Sequence, residues 1–152
     1  MIMRRLLSVL GLAVLGTFAA PAAAQNCIGG VSEGQIVLPG GGLAGTVNGA
    51  LIIGHTGPTV FLFHGTLSEL PPTSLGERRG VIDGLLFDGS NVPRYQVRGR
   101  WFASGFGQGF FRCIVFELGP NGNRVGRIGG QFPPPPGPLA FSPYKGNWVI
   151  CP

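Results

Sequence analysis

The chain has 152 residues, of which 44% are hydrophobic and only 11% charged, and its formal net charge is +5. The apolar share is too high for a disordered chain, and so mild a positive balance does not call for a nucleic-acid partner. Glycine stands out at 28 residues, far above an average share of about 7%.

The first predicted element is a leader. Met1 to Arg5 carries two arginines, and Leu6 to Ala20 is almost wholly apolar. Pro21-Ala22-Ala23-Ala24 then offers the small residues a signal peptidase reads. Cleavage before Gln25 leaves a signal peptide over 1–24 and a single domain over 25–152. The apolar run is too short for a membrane span of about 20 residues. The mature chain is therefore expected to be exported, periplasmic or extracellular, with no stable membrane span. Losing Arg4 and Arg5 lowers its charge to about +3.

The mature region holds no dozen-residue stretch with apolar residues at three-and-four spacing, so no helix is predicted and the domain reads as all-β. A five-residue pattern recurs instead: apolar, any, glycine, any, apolar. It reads VNGAL at 47–51, FHGTL at 63–67, IDGLL at 82–86, VRGRW at 97–101, IGGQF at 128–132 and YKGNW at 144–148. Strand side chains alternate faces, so each glycine shares one face with its two apolar flanks. Along 94–103 this puts Tyr95, Val97, Gly99 and Trp101 on the core side, and Arg94, Arg98 and Arg100 outside.

The connections fit an antiparallel meander. His55-Thr56-Gly57-Pro58 is a tight turn between strands near 44–53 and 59–68, and Leu70 to Gly80 is a longer loop. Gly105-Phe106-Gly107 reverses the chain before a strand at 108–118. Gly119-Pro120-Asn121-Gly122-Asn123 makes a hairpin turn, since Asn-Gly tolerates positive φ. PPPPGP at 133–138 is an extended polyproline crossover. The count is seven strands, or eight with Gln35 to Leu38, arranged as a small sandwich or an up-and-down barrel.

Three cysteines in an oxidising compartment leave one pair and one spare. Cys27 with Cys151 would close nearly the whole domain into one loop; Cys113 with Cys151 is the alternative. The spare thiol reads as a buried apolar residue.

A glycine in every strand needs a reason, because it weakens the strand. Either the glycines let the sheet coil with aromatics covering the gaps, or they open a hollow for a small ligand. In the second case the candidate ligand-facing residues are Tyr95, Trp101, Phe132 and Trp148.

Chemistry is otherwise sparse. His55 and His64 fall several residue pairs apart, too far to share a metal ion, and no Cys, Asp or Glu cluster supplies further ligands. No motif singles out two of the six acidic residues, and neither a nucleophile elbow nor a phosphate-cradling loop occurs. The sequence thus predicts no catalytic residue, no metal and no cofactor, and not an enzyme. Arg98, Arg100, Asp83 and Lys145 at outward mid-strand positions argue against a lipid-facing barrel.

Three resemblances are carried by these motifs. GFGQGFFRCIVFEL at 105–118 is similar to the glycine-aromatic strand of RNA-recognition motifs, but that fold needs two helices, so no nucleic acid is expected. YKGNW and VRGRW resemble MORN-type hairpin repeats. The short exported meander resembles up-and-down barrels of the avidin group, which implies a barrel but matches no ligand contact here.

The expected function is a non-catalytic β-domain, structural or binding, in the bacterial cell envelope, with an envelope polymer or protein as partner. The alternatives are a small-molecule-binding barrel and a secreted inhibitor or partner-binding protein using loops 70–80 and 133–143.

Overall fold

The computed structural model describes residues 26–104, 108–135 and 140–152. Eight strands lie among them: β1 (Ile28–Val37), β2 (Gly45–Ile53), β3 (Thr59–Leu70), β4 (Arg78–Phe87), β5 (Pro93–Ala103), β6 (Gly109–Glu117), β7 (Arg124–Phe132) and β8 (Phe141–Ile150). Each pairs antiparallel with the next, and β1 also pairs with β8, so the sheet closes into a barrel in simple up-and-down order. The all-β meander is thus present in its barrel form, with the full eight strands. The leader over 1–24, the reversal at 105–107 and the second half of the polyproline crossover, 136–138, lie outside the described residues.

The repeat extends to all eight strands once the register is known. β1 carries it as Ser32-x-Gly34-x-Ile36 and β6 as Phe111-x-Cys113-x-Val115, each with one substituted position. Central residues face one another in pairs: Gly34 with Gly49, Gly65 with Gly84, Gly99 with Cys113, and Gly130 with Gly146. Between these pairs the register steps by two residues, so that Gly49 faces Phe63, Gly84 faces Val97, Cys113 faces Ile128 and Gly34 faces Tyr144. The four steps accumulate to a stagger of about eight residues, which suits an eight-stranded barrel filled by layers of four side chains from alternate strands.

Those layers explain the glycines. Gly34, Gly65, Gly99 and Gly130 form one layer, and Gly49, Gly84, Cys113 and Gly146 the next. The waist of the barrel is therefore almost free of its own side chains. Rings from the flanking layers fill it. A Cβ on Gly130 would meet Phe111 Cε1 at 2.6 Å and Tyr144 Cδ2 at 2.8 Å, one on Gly84 would meet Phe63 Cε2 at 2.9 Å, and one on Gly49 would collide with the Tyr144 hydroxyl. Phe63, Phe111 and Tyr144 are at most 1% exposed. Phe111 and Tyr144 meet edge to face with centroids 4.9 Å apart, the arrangement ring quadrupoles favour.

Polar groups inside are all satisfied. Ser32 and Tyr144 share a hydrogen bond of 3.2 Å, and the Ser142 hydroxyl donates to Pro133 O. The indole N–H groups of Trp101 and Trp148 donate to Ser68 O and Ile52 O at 3.1 and 3.0 Å. Among the described residues no buried side-chain N or O lacks a partner.

Two local expectations shift. β1 begins at Ile28, far ahead of Gln35, because Ser32 occupies the first apolar place of its repeat and masks the pattern. The loop after β3 narrows to 71–77, because Leu70 pairs with Arg79 and the strands run on past the apolar alternation.

A Cys27–Cys151 disulfide joins the start of β1 to the end of β8, leaving Cys113 free and buried. This is the first of the two pairings the sequence leaves open, and such a bond belongs to an oxidising compartment. Burial pushes the Cys113 thiol up to about 12, with the Asp83 charge adding to the effect. Burial likewise raises Tyr144 to about 12, against the opposing hydrogen bond from Ser32. Above about pH 9 for the thiol, and about pH 10 for the phenol, the unfolded chain releases these protons while the native chain keeps them. Stability is thus fully present below the lower of these and falls as pH rises towards 12, at roughly 1 kcal/mol per pH unit for each group. Urea midpoints followed by tryptophan fluorescence at pH 8 and pH 11 should differ accordingly, and Cys113→Ala should shrink the difference. Equal midpoints in the parent protein would contradict this.

Candidate functional site

All four candidate ligand-facing residues point inward, but they do not converge. Trp101 and Phe132 lie at the barrel end formed by the start of β4 and β6, where Phe132 packs on Gly109 and Trp101 on Gly80. Tyr95 and Trp148 lie at the other end, bridged by Phe61 at centroid distances of 5.5 and 6.3 Å. The glycine waist between them is occupied by Phe63, Phe111 and Tyr144. Trp101, Phe132 and Trp148 are buried, while Tyr95 is half-buried.

Chemistry gathers on the outer wall. Alternation sends Arg98 and Arg100 of β5, Arg112 of β6, Arg127 of β7 and Lys145 of β8 to the solvent side. Arg100 sits directly opposite Arg112 in the ladder. Like charges so placed destabilise a sheet. Among the described residues the ion pairs are Arg78–Glu69 at 2.7 Å and Arg94–Asp88 at 2.6 Å, so none of Arg100, Arg112, Arg127 and Lys145 reaches a carboxylate. The two arginines that are paired serve structure. Arg78 also donates to Pro39 O and lies 5.7 Å from the Trp101 ring, capping that barrel end. Its hydrogen bond holds the Glu69 carboxyl below its usual range. Asp88 is lowered chiefly by the Val92 N–H, then by Arg94, in the turn between β4 and β5.

The unpaired cations line a shallow depression that spans the outer faces of β5 to β8. On its β7 wall Gly129 faces outward, opposite Arg112 on one side and Asn147 on the other. A Cβ there would find only Phe111 O at 3.3 Å and Arg112 Cγ at 4.0 Å. The result is a notch without a side chain, rimmed by cations and amides. One edge of the depression carries Phe102 and Phe110, stacked at 5.1 Å with an interplanar angle of 23°. Arg112 lies 5.9 Å from the Phe110 ring.

A second, smaller depression lies on the opposite wall, where His64 Nδ1 and Asn48 Oδ1 are 2.7 Å apart near Thr66 and Asp83. His64 is exposed. Among the described residues no three metal-ligating side chains cluster, and no helix is long and apolar enough to cross a membrane.

The sequence reading placed Arg98, Arg100 and Lys145 outside but did not bring them together with Arg112, Arg127, Gly129 and Asn147. The signal was available: aligning the central residues of the repeat sets the outward positions of neighbouring strands side by side. Comparison of the chain with protein-family models, with curated proteins and with solved structures gives no match in any of the three.

Proposed function

We propose that the protein is an exported, non-catalytic binding barrel that holds an acidic polymer of the cell envelope against its outer wall, in the periplasm or outside the cell. The observation that carries this reading is the Arg100–Arg112 cross-strand pair, two cations with no acid between them. A strand pair that keeps such repulsion on its solvent face is relieved when an anion lies across it. Arg127 extends the same field over the next strand, while Lys145 of β8 faces Glu33 of β1 across the ladder. The ring-filled waist supports a role for the exterior over one for the interior, and the buried thiol, held protonated, supports a non-catalytic role.

Co-sedimentation of the disulfide-bonded protein with purified envelope polysaccharide tests this. Arg100→Gln with Arg112→Gln should weaken retention about tenfold, and binding should fall as salt rises, because the contacts are solvent-exposed charges. The double variant should melt no lower than the parent, since it removes a like-charge pair. Equal retention of parent and variant at low salt would overturn the reading.

A further inference from the structure

We infer that the notch at Gly129 is a subsite for one uronate residue of a hydroxyl-rich acidic polysaccharide, an assignment that rests on the outer-wall reading above. The chemistry of the rim makes the choice among polyanions. A polyphosphate chain offers acceptors only, and cations alone would serve it. Here the cations are interleaved with amides: Arg112 and Asn147 flank Gly129 across the ladder, and Gln131 follows it on the outward face of β7. An amide side chain donates and accepts at once, which is what a sugar bearing neighbouring hydroxyls presents. The planar guanidinium of Arg112 matches a carboxylate in bidentate fashion.

Position adds a second argument. Gln131 pairs with Phe110, and Gly129 with Arg112, so the exposed ring lies one outward step from the notch, about 7 Å along the strand. Phe110 is 40% exposed and stacked on Phe102. A flat apolar face beside a carboxylate-binding notch suits a pyranose chain, whose rings present C–H faces while their substituents point sideways. The absence of a Cβ at position 129 lets a ligand approach the β7 backbone itself.

The test is a titration of isotope-labelled, disulfide-bonded protein with hexagalacturonate, with inorganic polyphosphate of matched charge and neutral xylohexaose in parallel arms. Amide shifts at Gly129, Gln131 and Asn147 should move with hexagalacturonate at least tenfold more tightly than with polyphosphate, and not with the neutral sugar. Gly129→Val and, separately, Asn147→Ala should each weaken uronate binding about tenfold, while their thermal melts stay close to the parent's. Asn147→Ala keeps the test decisive should the valine disturb β7. Equal binding of polyphosphate, or indifference to both variants, overturns the uronate assignment. If hexagalacturonate fails to bind while Arg100→Gln with Arg112→Gln still weakens envelope retention about tenfold, the subsite falls and the outer-wall reading stands. If that double variant is retained like the parent, both fall.

Discussion

Gly130→Val is expected to cost the barrel a large share of its stability. The new Cβ would sit 2.6 Å from Phe111 Cε1 and 2.8 Å from Tyr144 Cδ2, and the branched methyls would go further in. Neither ring has room to retreat, since each is 1% exposed and each is packed on the other. The backbone is equally confined: Gly146 across the ladder has its own Cβ direction blocked by Gly129 O and Gly130 Cα. Overpacking a well-filled core costs about 1–3 kcal/mol where some relaxation is available, and more where it is not. A loss of at least about 4 kcal/mol is expected, against total stabilities of about 5–15 kcal/mol for domains of this kind. Far-ultraviolet circular dichroism and urea titration read it directly. Cys113→Gly is the matched control, because it restores the repeat's own residue at the one waist position that departs from it. It should cost about 1–2 kcal/mol, the loss of a small buried side chain. If Gly130→Val folded with parent-like stability, the account of the waist as filled by rings from neighbouring layers would be wrong.

Removing the disulfide should be the next largest perturbation. The bond spans 124 positions of sequence, and on the chain-entropy model a loop of that length constrains the unfolded chain by about 5 kcal/mol. The native seam does not depend on the bond alone, since β1 and β8 pair from Ile28 with Ile150 to Val37 with Phe141. Cys27→Ser with Cys151→Ser is therefore expected to fold, but about 3–5 kcal/mol less stably, with the same effect on adding reductant to the parent. Amide exchange should locate the weakness, with protection lost first at Ile28–Val31 and at the last residues of β8, next to the missing bond. Unchanged urea midpoints with and without reductant would show that the seam holds itself.

The fold was legible in the sequence wherever the repeat was intact. Val47, Leu51, Phe63, Leu67, Ile82, Leu86, Val97, Trp101, Ile128, Phe132, Tyr144 and Trp148 were all assigned to the inner face by alternation, and all are buried. Where one position departs from the repeat, its reading weakened. Ser32 hid most of β1, since a serine does not advertise burial until its hydroxyl partner, Tyr144, is known. Cys113 hid the kinship of β6, since a thiol and a hydrogen do not look alike although both leave the waist narrow. The packed or hollow state of the waist was not legible at all. It depends on which rings reach across from neighbouring strands, and that follows from the two-residue steps in register, which bulges and turn lengths set. The basic wall was half legible: alternation gives the face of each arginine, but only the register makes Arg100 and Arg112 opposite partners.

Closure between β1 and β8 leaves the sheet no free edge. Nothing can lengthen it by lending a strand, so recognition through main-chain pairing is shut out, and with it the runaway stacking to which open sheets are prone. Whatever docks must do so on the outer wall. Because residues of opposite parity along each strand serve the interior and the exterior, the outward set can be rewritten with little consequence for the inward one. The architecture separates shape from specificity: one alphabet, on even steps, keeps the cylinder shut, and the other is free to be exchanged for a different ligand.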